Sequence, residues 1–347
     1  MPKRLILFSA FLILIIPQLQ AQTVFGKYAG EFMAIGVGGR ALGMGGAYVA
    51  IANDVTAGYY NPAGLAHLNY PQISLMHDER FGSLVNYDYA AVAFPYGKKM
   101  SFGLSIIRLG VDGIPYTKDA LVDKNTGQTI YNINQPSARL DYSKITTFSD
   151  QDWAIYLSFA KRYSEKFYYG ANVKLIYEKL ANYSAYGIGF DVGVWYTPFK
   201  NFSLGGNLQD ITTTLVAWST GRNELITPTA KLGAAYQLHI LGGIFTPAVD
   251  VDIRFENRRF ASDFNIGPVS FDIHEGIEYD FNHLFAIRAG YNDIKQFTIG
   301  AGIKLPKLNI DYSFARFTGP KAERLPDTHR ISLILTLEEP KFLRKGL

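Results

Sequence analysis

Residues 269–280 read VSFDIHEGIEYD, and residues 296–305 read QFTIGAGIKL. In the first stretch Phe271, Ile273 and Ile277 fall on one face of an extended chain, and mainly polar residues fall on the other. The second stretch alternates in the same way. A period of two with one apolar and one polar face predicts β-strands.

The same alternation recurs from Pro71 onward. Most of the runs are close to the 9–11 residues that a strand needs to cross a bilayer at a tilt. A soluble β-sandwich would alternate as well, so the period alone does not identify a membrane barrel. The fourteen runs are residues 72–77, 83–95, 100–109, 151–161, 167–178, 184–197, 201–209, 229–237, 244–255, 269–280, 283–292, 296–305, 307–317 and 328–337.

The connections between the runs differ in length in a regular way. The odd-numbered connections contain 5, 41, 5, 19, 13, 3 and 10 residues, whereas the even-numbered ones contain 4, 5, 3, 6, 2 and 1. All the long connections therefore leave the same end of an up-and-down sheet, as in outer-membrane barrels with short periplasmic turns and longer external loops. The sequence predicts an all-β fold, a transmembrane antiparallel β-barrel of about fourteen strands. Loop 110–150, the longest connection, is interpreted as an external lid or a partner-docking loop.

Aromatic residues cluster around the short connections. Rings with an apolar body and a polar tip favour the boundary between membrane and water, so these residues predict an aromatic girdle. The predicted girdle consists of Phe94, Tyr96, Tyr163, Phe167, Tyr168, Tyr196, Phe199, Phe202, Phe281 and Phe285.

The first 21 residues have the form of a secretory signal peptide. Lys3 and Arg4 precede an apolar stretch at residues 5–16, and Ala21 is a small residue suited to cleavage. The apolar stretch is too short for a membrane-spanning helix, which needs about 20 residues. The chain has no cysteine, which excludes a lipoprotein and a disulfide scaffold, and its net charge of +4 is too small to indicate a nucleic-acid partner. We expect export and an outer-membrane location in a diderm bacterium, with lipid as the surrounding medium.

Residues 22–70 differ from the rest of the chain. Residues 36–46 contain six glycines, and a segment of fewer than fifty such residues cannot form a core alone. A barrel of about fourteen strands is too wide for its own side chains to fill. The sequence therefore predicts residues 22–70 as a plug (hatch) inside a barrel of residues 71–337, followed by a tail of residues 338–347.

The N-terminal motif resembles a known family. Residues 35–50, IGVGGRALGMGGAYVA, followed by Asn53-Asp54 and residues 60–65, YNPAGL, are similar to the start of the mature PorV/PorQ proteins, which are relatives of the FadL-type transport barrels. The tail departs from many such barrels, which end on an aromatic residue. The resemblance implies that the plug motif consists of Gly36, Gly38, Gly39, Arg40, Gly43, Gly45, Gly46, Asn53, Asp54, Asn61, Pro62, Ala63 and Gly64.

Other residues that could carry chemistry are few. Gly36 to Ala41 also match G-x-G-x-x-A, but no βαβ unit surrounds them, so a dinucleotide is not expected. The six histidines lack metal-ligand spacing and no G-x-S-x-G occurs, so no metal, cofactor or enzymatic activity is expected. The richest polar cluster is predicted to line the lumen and to pair with Arg254, Arg288 or Lys304. It consists of Asp250, Asp252, Asp272, His274, Glu278 and Asp280.

Two functions are compatible with a plugged barrel. The family resemblance implies a non-enzymatic component of protein secretion and surface attachment of the type IX kind, with secretion-machinery proteins and exported proteins as partners. The alternative is a FadL-like transporter of hydrophobic small molecules, which requires an apolar pocket between the plug and the external loops. The sequence does not separate them.

Overall fold

The computed structural model describes residues 29–256, 258, 261–319 and 325–346. The predicted signal peptide and the first residues of the predicted plug lie outside this part of the chain. No helix within these ranges has both the length and the apolar character that a membrane span requires.

Fourteen long strands form the sheet within the described ranges, and each overlaps one of the runs identified in the sequence. The alternation of side chains that predicted them places buried residues, many of them small or polar, on one face and exposed apolar residues on the other. The strands are β1 Gln72–Arg80, β2 Val85–Tyr96, β3 Met100–Tyr116, β4 Thr146–Arg162, β5 Phe167–Leu180, β6 Tyr183–Tyr196, β7 Phe202–Gln209, β8 Thr229–Tyr236, β9 Gly243–Arg254, β10 Val269–Phe281, β11 Phe285–Tyr291, β12 Gln296–Leu305, β13 Leu308–Phe317 and β14 Thr328–Thr336.

The sheet closes on itself. Every strand pairs antiparallel with the next one along the chain, and β14 pairs with β1 from Gln72 opposite Thr336 to Glu79 opposite His329. Closure leaves no sheet edge with unpaired backbone groups, as a lipid environment requires. The predicted all-β barrel of fourteen antiparallel strands is confirmed.

Short strands extend several of the long ones. Thr214–Trp218 pairs with β6 and with Asn223–Ile226, so both prolong the barrel wall beyond the ends of β7 and β8. Leu238–Ile240 pairs with β9, and Phe264–Ile266 pairs with β10. Thr214–Trp218, Asn223–Ile226 and Phe264–Ile266 therefore extend the wall at the end with the long connections, whereas Leu238–Ile240 extends it at the end with the short turns.

The long loop is shorter than the sequence indicated. Strands β3 and β4 stay paired across an irregularity between Val111 and Ile114, as far as Tyr116 opposite Thr146. The glycine and proline in this stretch made it resemble a loop, so the bounds 110–150 were wrong. The connection is residues 117–145, hereafter the long connection. It contains the hairpin of Leu121–Asp123 with Ala138–Leu140 and the 3-10 turn Tyr142–Lys144.

The remaining elements are short helices near the two ends of the chain. Residues 29–70, hereafter the N-terminal segment, contain a 3-10 turn at Glu31–Ala34, α1 at Gly39–Gly43, α2 at Ala57–Tyr60 and a 3-10 turn at Pro62–His67. The tail contains the 3-10 turn Pro340–Phe342. None of these elements has more than two turns, so their positions depend on tertiary contacts and not on helix propensity.

The aromatic residues at the short connections divide into two groups. Phe94, Tyr96 and Tyr163 are exposed on the outside of the sheet, as are Tyr196, Phe199 and Phe285. Tyr168 does not belong with them, because it is buried and its hydroxyl donates to the Glu165 carbonyl. The sequence assignment of Tyr168 was wrong because neighbouring strand residues point to opposite faces.

Candidate functional site

The N-terminal segment lies against the inward faces of strands all around the barrel. Its buried apolar residues, among them Val37, Met44 and Leu65, form one cluster with inward-facing residues of the strands. The 3-10 turn Pro62–His67 contacts β2 to β6, and α1 contacts β11 to β14. The segment therefore obtains its core from the barrel, which explains how so few residues form an ordered structure.

Glycines on the strands let the segment approach closely. A Cβ atom on Gly205 of β7 would lie 2.3 Å from the Val49 carbonyl oxygen, and one on Gly290 of β11 would lie 2.2 Å from the Met44 carbonyl carbon. Both separations are far below van der Waals contact. The polar faces that contain these glycines are therefore shaped for backbone contact with the segment.

Arg40 is the centre of an ionic cluster that joins the segment to β10. Its guanidinium donates two hydrogen bonds of 2.9 Å to the Glu278 carboxylate and one of 2.9 Å to each of Tyr48 Oη and Asn53 Oδ1. Tyr48 Oη in turn donates to Asp54 Oδ2 at 2.7 Å. Bidentate pairing to a buried carboxylate fixes the orientation of Arg40 as well as its charge.

The barrel side of this cluster extends along neighbouring strands. Arg288 Nε donates to Glu278 at 2.7 Å, and Arg288 Nη1 donates to Asp311 at 2.7 Å. Two arginines thus share Glu278 between them. The segment and three strands belong to one charge network.

Asp250 binds the segment by its backbone. One carboxylate oxygen accepts the N–H groups of Tyr48 at 2.6 Å and of Val49 at 2.8 Å. On the adjacent strand, the Nδ1 atom of His274 lies 2.9 Å from the Gly45 carbonyl oxygen. These contacts satisfy backbone groups that would otherwise be buried without partners.

Asn61 joins two regions of backbone at the centre of the barrel. Its Nδ2 donates to the carbonyls of Val49 at 3.0 Å and of Val194 on β6 at 2.9 Å, and its Oδ1 accepts from the Ala63 N–H. The side chain is fully buried. Pro62 follows at the first position of its 3-10 turn, where no backbone donor is needed.

The glycines singled out in the segment are required for two different reasons. Gly36, Gly38, Gly45 and Gly46 have positive φ angles. A Cβ atom on Gly64 would lie 1.8 Å from the Ala52 carbonyl oxygen. Cβ atoms on Gly39 and Gly43 would lie 2.8 Å from Asp311 O and 2.9 Å from Gly300 Cα.

The remaining acids of the predicted cluster point into the lumen at different heights. Asp252 accepts from Lys231 at 2.5 Å, and Asp272 accepts from Arg258 at 2.8 Å. Asp280 pairs with Lys304 and lies at the end with the short turns. Of these six residues, Asp250, His274 and Glu278 form hydrogen bonds with the described part of the segment, so the six residues do not act as a single site. Within the described ranges no group of acids and histidines has the arrangement of a metal site.

His67 ends the last turn of the segment beneath Asn61. Its ring lies 4.4 Å from the ring of Tyr168 and 4.6 Å from that of Trp195, measured between centroids. Burial, together with smaller contributions from Arg162 and Arg344, lowers the pKa of His67 to about 4. The imidazole is therefore neutral at pH 7.

Above the segment, at the end with the long connections, the lumen contains a cavity of about 570 Å³, hereafter the chamber. Its apolar wall includes Leu109, Leu180 and Trp218, and residues 29–32 with Ile35 form one side. Its polar lining consists of Glu31 from the segment and of four acids from the barrel wall, Asp150, Asp152, Glu178 and Glu224. The four acids of the barrel wall were not predicted from the sequence, although Asp152 and Glu178 have the inward parity on neighbouring strands.

A second, larger concavity of about 950 Å³ lies on the outer face of β1, β2, β3 and β14. Outward-facing apolar residues such as Leu75 and Ile331 line one part of it. His77, Asp88 and Arg108 line the other, where Asp88 accepts from Arg108 at 3.2 Å and lies 2.7 Å from His77 Nδ1. This groove is separate from the lumen.

A closed, all-antiparallel barrel of fourteen strands is the fold of FadL-like outer-membrane proteins. The toluene transporter TbuX of Ralstonia pickettii has a similar structure, with 14% sequence identity, a TM-score of 0.56, and coverage of 87% of this chain and 97% of that chain. The toluene transporter TodX of P. putida is similar at 12% identity and a TM-score of 0.57, with the same coverage. A FadL homologue of Pseudomonas aeruginosa has 12% identity, a TM-score of 0.53, and coverage of 86% and 98%.

At these identities the likeness concerns the fold. The profile of an uncharacterised protein family, UPF0164, matches residues 14–107, which include the N-terminal segment and the first two strands. No curated protein sequence matches the chain. The PorV/PorQ resemblance is therefore supported only at the coarser level of a FadL-like barrel.

Proposed function

We propose that this protein is a non-enzymatic conduit for hydrophobic small molecules across the outer membrane of a diderm bacterium. In this proposal residues 1–21 are the cleaved signal peptide, residues 22–70 the plug, residues 71–337 the barrel and residues 338–347 a tail. The proteins of similar fold include two toluene transporters and the monoaromatic hydrocarbon channel CymD.

The chamber is the observation that carries this proposal. It lies between the N-terminal segment and the end of the barrel with the long connections, where the transport hypothesis requires an apolar pocket. Its volume is in the range of small-molecule sites, and Leu109, Leu180 and Trp218 give it an apolar wall. The segment below it is held by many hydrogen bonds, so a solute must pass that barrier by a rearrangement of the segment or through the wall.

Uptake of the hydrophobic fluorophore N-phenylnaphthylamine tests the proposal. Intact cells of a diderm host that express the protein are expected to take up the dye faster than cells with an empty vector, because the intact outer membrane excludes it. Leu109→Gln, which places an amide in the chamber wall, is expected to reduce the rate, and Leu140→Gln on the long connection serves as the control. Equal rates with and without the protein would contradict a transport role.

A protein-docking role is the second candidate, and the long connection favours it. Tyr131, Ile133 and Tyr142 project from this connection with more than 70% of their surface exposed. Exposed aromatic and apolar groups of this kind are typical of protein contacts. Secretion-machinery proteins and exported proteins would be the partners in a type IX-like function.

Replacing residues 120–142 by a short Gly-Ser linker separates the two candidates. A docking role predicts that proteins co-purifying with the intact barrel are lost from this variant while dye uptake persists. Identical co-purifying proteins in both preparations would remove the support for docking.

A further inference from the structure

The chamber differs from the rest of the lumen in its charges. Elsewhere in the lumen several acids have cationic partners: Lys174 lies 2.8 Å from Asp191 and 2.6 Å from Asp210, and Arg330 lies 2.8 Å from Asp78. Five acids line the chamber, and one of them, Glu31 of the segment, lies 4.0 Å from Arg254. Among the described residues, no lysine or arginine lies within ion-pair distance of the other four, Asp150, Asp152, Glu178 and Glu224.

Two of these acids face each other directly. Asp152 of β4 is opposite Glu178 of β5 in the strand register, and both side chains point inward. Like charges at directly opposed positions destabilise a strand pair. The charged groups that interact with Glu178 are Glu224 and Asp150, which are also acidic. The described part of the barrel thus concentrates negative charge at these positions, with no lysine or arginine within ion-pair distance of them.

Glu178 has the properties of a group that awaits a ligand. Only 7% of its surface is exposed, it lines the chamber, and no hydrogen bond or ion pair joins it to another described residue. A largely buried carboxylate without a protein partner is costly, and it calls for an explanation such as a bound ion or ligand. Its neighbour Trp218 has a buried indole Nε1 that also lacks a partner within the described ranges.

The shape of the chamber defines the ligand further. A volume of about 570 Å³ holds an organic molecule, and it far exceeds the space of a bare inorganic ion. Leu109, Leu180 and the Trp218 ring form an apolar surface beside the carboxylates. Aromatic rings and carboxylates both attract ammonium groups.

We propose that the chamber binds organic cations in which an ammonium group is attached to a small apolar body. The ammonium group contacts Asp152 and Glu178, and the apolar body lies against Leu109 and Trp218. This inference rests on the proposed conduit function and assigns its substrate class. It also accounts for the opposed acids, because a bound cation removes their repulsion.

Binding of 2-phenylethylammonium to the full-length mature barrel in detergent tests the inference, with 2-phenylethanol as the neutral analogue of the same skeleton. Isothermal titration calorimetry is expected to show saturable binding of the ammonium compound and at least tenfold weaker binding of the alcohol. Asp152→Asn and Glu178→Gln are each expected to weaken binding of the ammonium compound by about tenfold, since each removes one negative charge from a partly dehydrated site. Asp112→Asn, an exposed acid near the same end of β3, is the matched control and should bind like the unaltered protein.

The same variants exclude a merely structural effect. Because Asp152→Asn removes a repulsion, it is expected to raise the thermal stability while it lowers the affinity. A loss of binding that accompanies a loss of stability would contradict the assignment. Equal binding of the alcohol and the ammonium compound, or binding of calcium ions alone, would overturn it. If dye uptake occurs but the ammonium compound does not bind, the conduit stands and only this inference fails.

Discussion

Arg40 connects the N-terminal segment to the barrel through two hydrogen bonds to the Glu278 carboxylate. Its partner Glu278 is shared with Arg288, so removal of Arg40 leaves the carboxylate with one cation instead of two. Asp54 of the segment also loses its cationic partner, because it lies 3.6 Å from the same guanidinium. The arginine therefore determines how firmly this part of the segment is held.

Arg40→Ala is expected to loosen the segment and to raise single-channel conductance in planar bilayers. Breaking one partner of a buried ion pair costs about 3–5 kcal/mol, and the partial exposure of Arg40 places the effect near the lower value. Arg40→Lys retains the charge without the bidentate geometry, so its conductance should lie between that of the unaltered protein and that of Arg40→Ala. Arg139→Ala on the long connection is the control. Conductance that stays unchanged in Arg40→Ala would show that this side chain does not hold the segment.

Asn61→Ala is expected to loosen the same segment by a different route. The substitution leaves the carbonyls of Val49 and Val194 without a donor, at a cost of about 1–3 kcal/mol for each. Conductance should rise as for Arg40→Ala. Asn125→Ala, on the exposed long connection, controls for the loss of an amide. If Asn61→Ala had the same conductance as Asn125→Ala, Asn61 would not hold the segment.

His67 makes the stability of the segment depend on pH. Its pKa is about 4 in the folded protein and about 6.5 in an unfolded chain, so the folded state disfavours the proton. The stabilisation is fully present above pH 6.5 and is lost as the pH falls toward 4, with a total of about 3 kcal/mol. Urea unfolding measured across this range should show the loss.

His67→Phe provides the control for that pH dependence. Phenylalanine keeps a ring beside Tyr168 and Trp195 but cannot be protonated. The decrease in stability between pH 6.5 and 4 should become smaller in this variant by the amount attributed to His67. An unchanged pH profile would mean that other groups cause the decrease.

At the scale of the secondary-structure elements, strand β7 offers two adjacent glycines that separate backbone fit from strand propensity. Gly205 faces the Val49 carbonyl, whereas a Cβ atom on Gly206 would meet only side-chain carbons of Val194 and Leu232, at 3.2 and 3.7 Å. Gly205→Ala is expected to displace the segment, destabilise the protein by about 1–3 kcal/mol and raise conductance, as overpacking does elsewhere.

Gly206→Ala should leave the segment in place and conductance unchanged, because its methyl group points away from the lumen. Both variants replace glycine by alanine in the same strand. If they behave alike, close backbone approach is not what holds the segment against β7.

The strands were the most predictable elements, and the connections the least. The alternation of apolar and polar residues located all fourteen strands, and the lengths of the connections indicated their up-and-down order, because each strand carries its own pattern of burial. The extension of β3 to Tyr116 could not be predicted, since Gly113 and Pro115 resemble loop residues and only the pairing with β4 reveals the strand. The inward position of Tyr168 likewise depends on parity and not on residue type.

The site was predictable in part. The glycine-rich motif, Arg40 and Asn61 were recognisable from the N-terminal resemblance. Their barrel partners were not, because contacts such as Arg40 with Glu278 join residues that are 238 positions apart in the chain. The unpaired state of Asp152 and Glu178 is a property of the closed barrel, since it depends on which cations fail to reach them.

At the scale of the whole molecule, the tail joins the two ends of the described chain. Arg344 is buried, and its guanidinium donates to the Leu68 carbonyl at 2.6 and 2.9 Å, to the Met100 carbonyl at 2.8 Å and to Ser101 Oγ at 2.7 Å. The tail thus closes the short-turn end beneath the segment.

Arg344→Ala is expected to lower the stability, because it leaves buried carbonyls without donors at a cost of about 1–3 kcal/mol each. Arg344→Lys should restore part of the loss. Binding of 2-phenylethylammonium in the chamber should not change, since the chamber lies at the opposite end of the lumen. An effect on binding with no effect on thermal unfolding would contradict this division of roles.

The conductance of single barrels in planar bilayers tests most directly whether the N-terminal segment blocks the lumen. The mature chain should show little or no steady conductance, whereas a variant without residues 22–66 should form a stable open pore while still migrating as a heat-modifiable barrel on electrophoresis. Equal conductance from the two folded proteins would contradict a lumen that is closed by its own N-terminal segment.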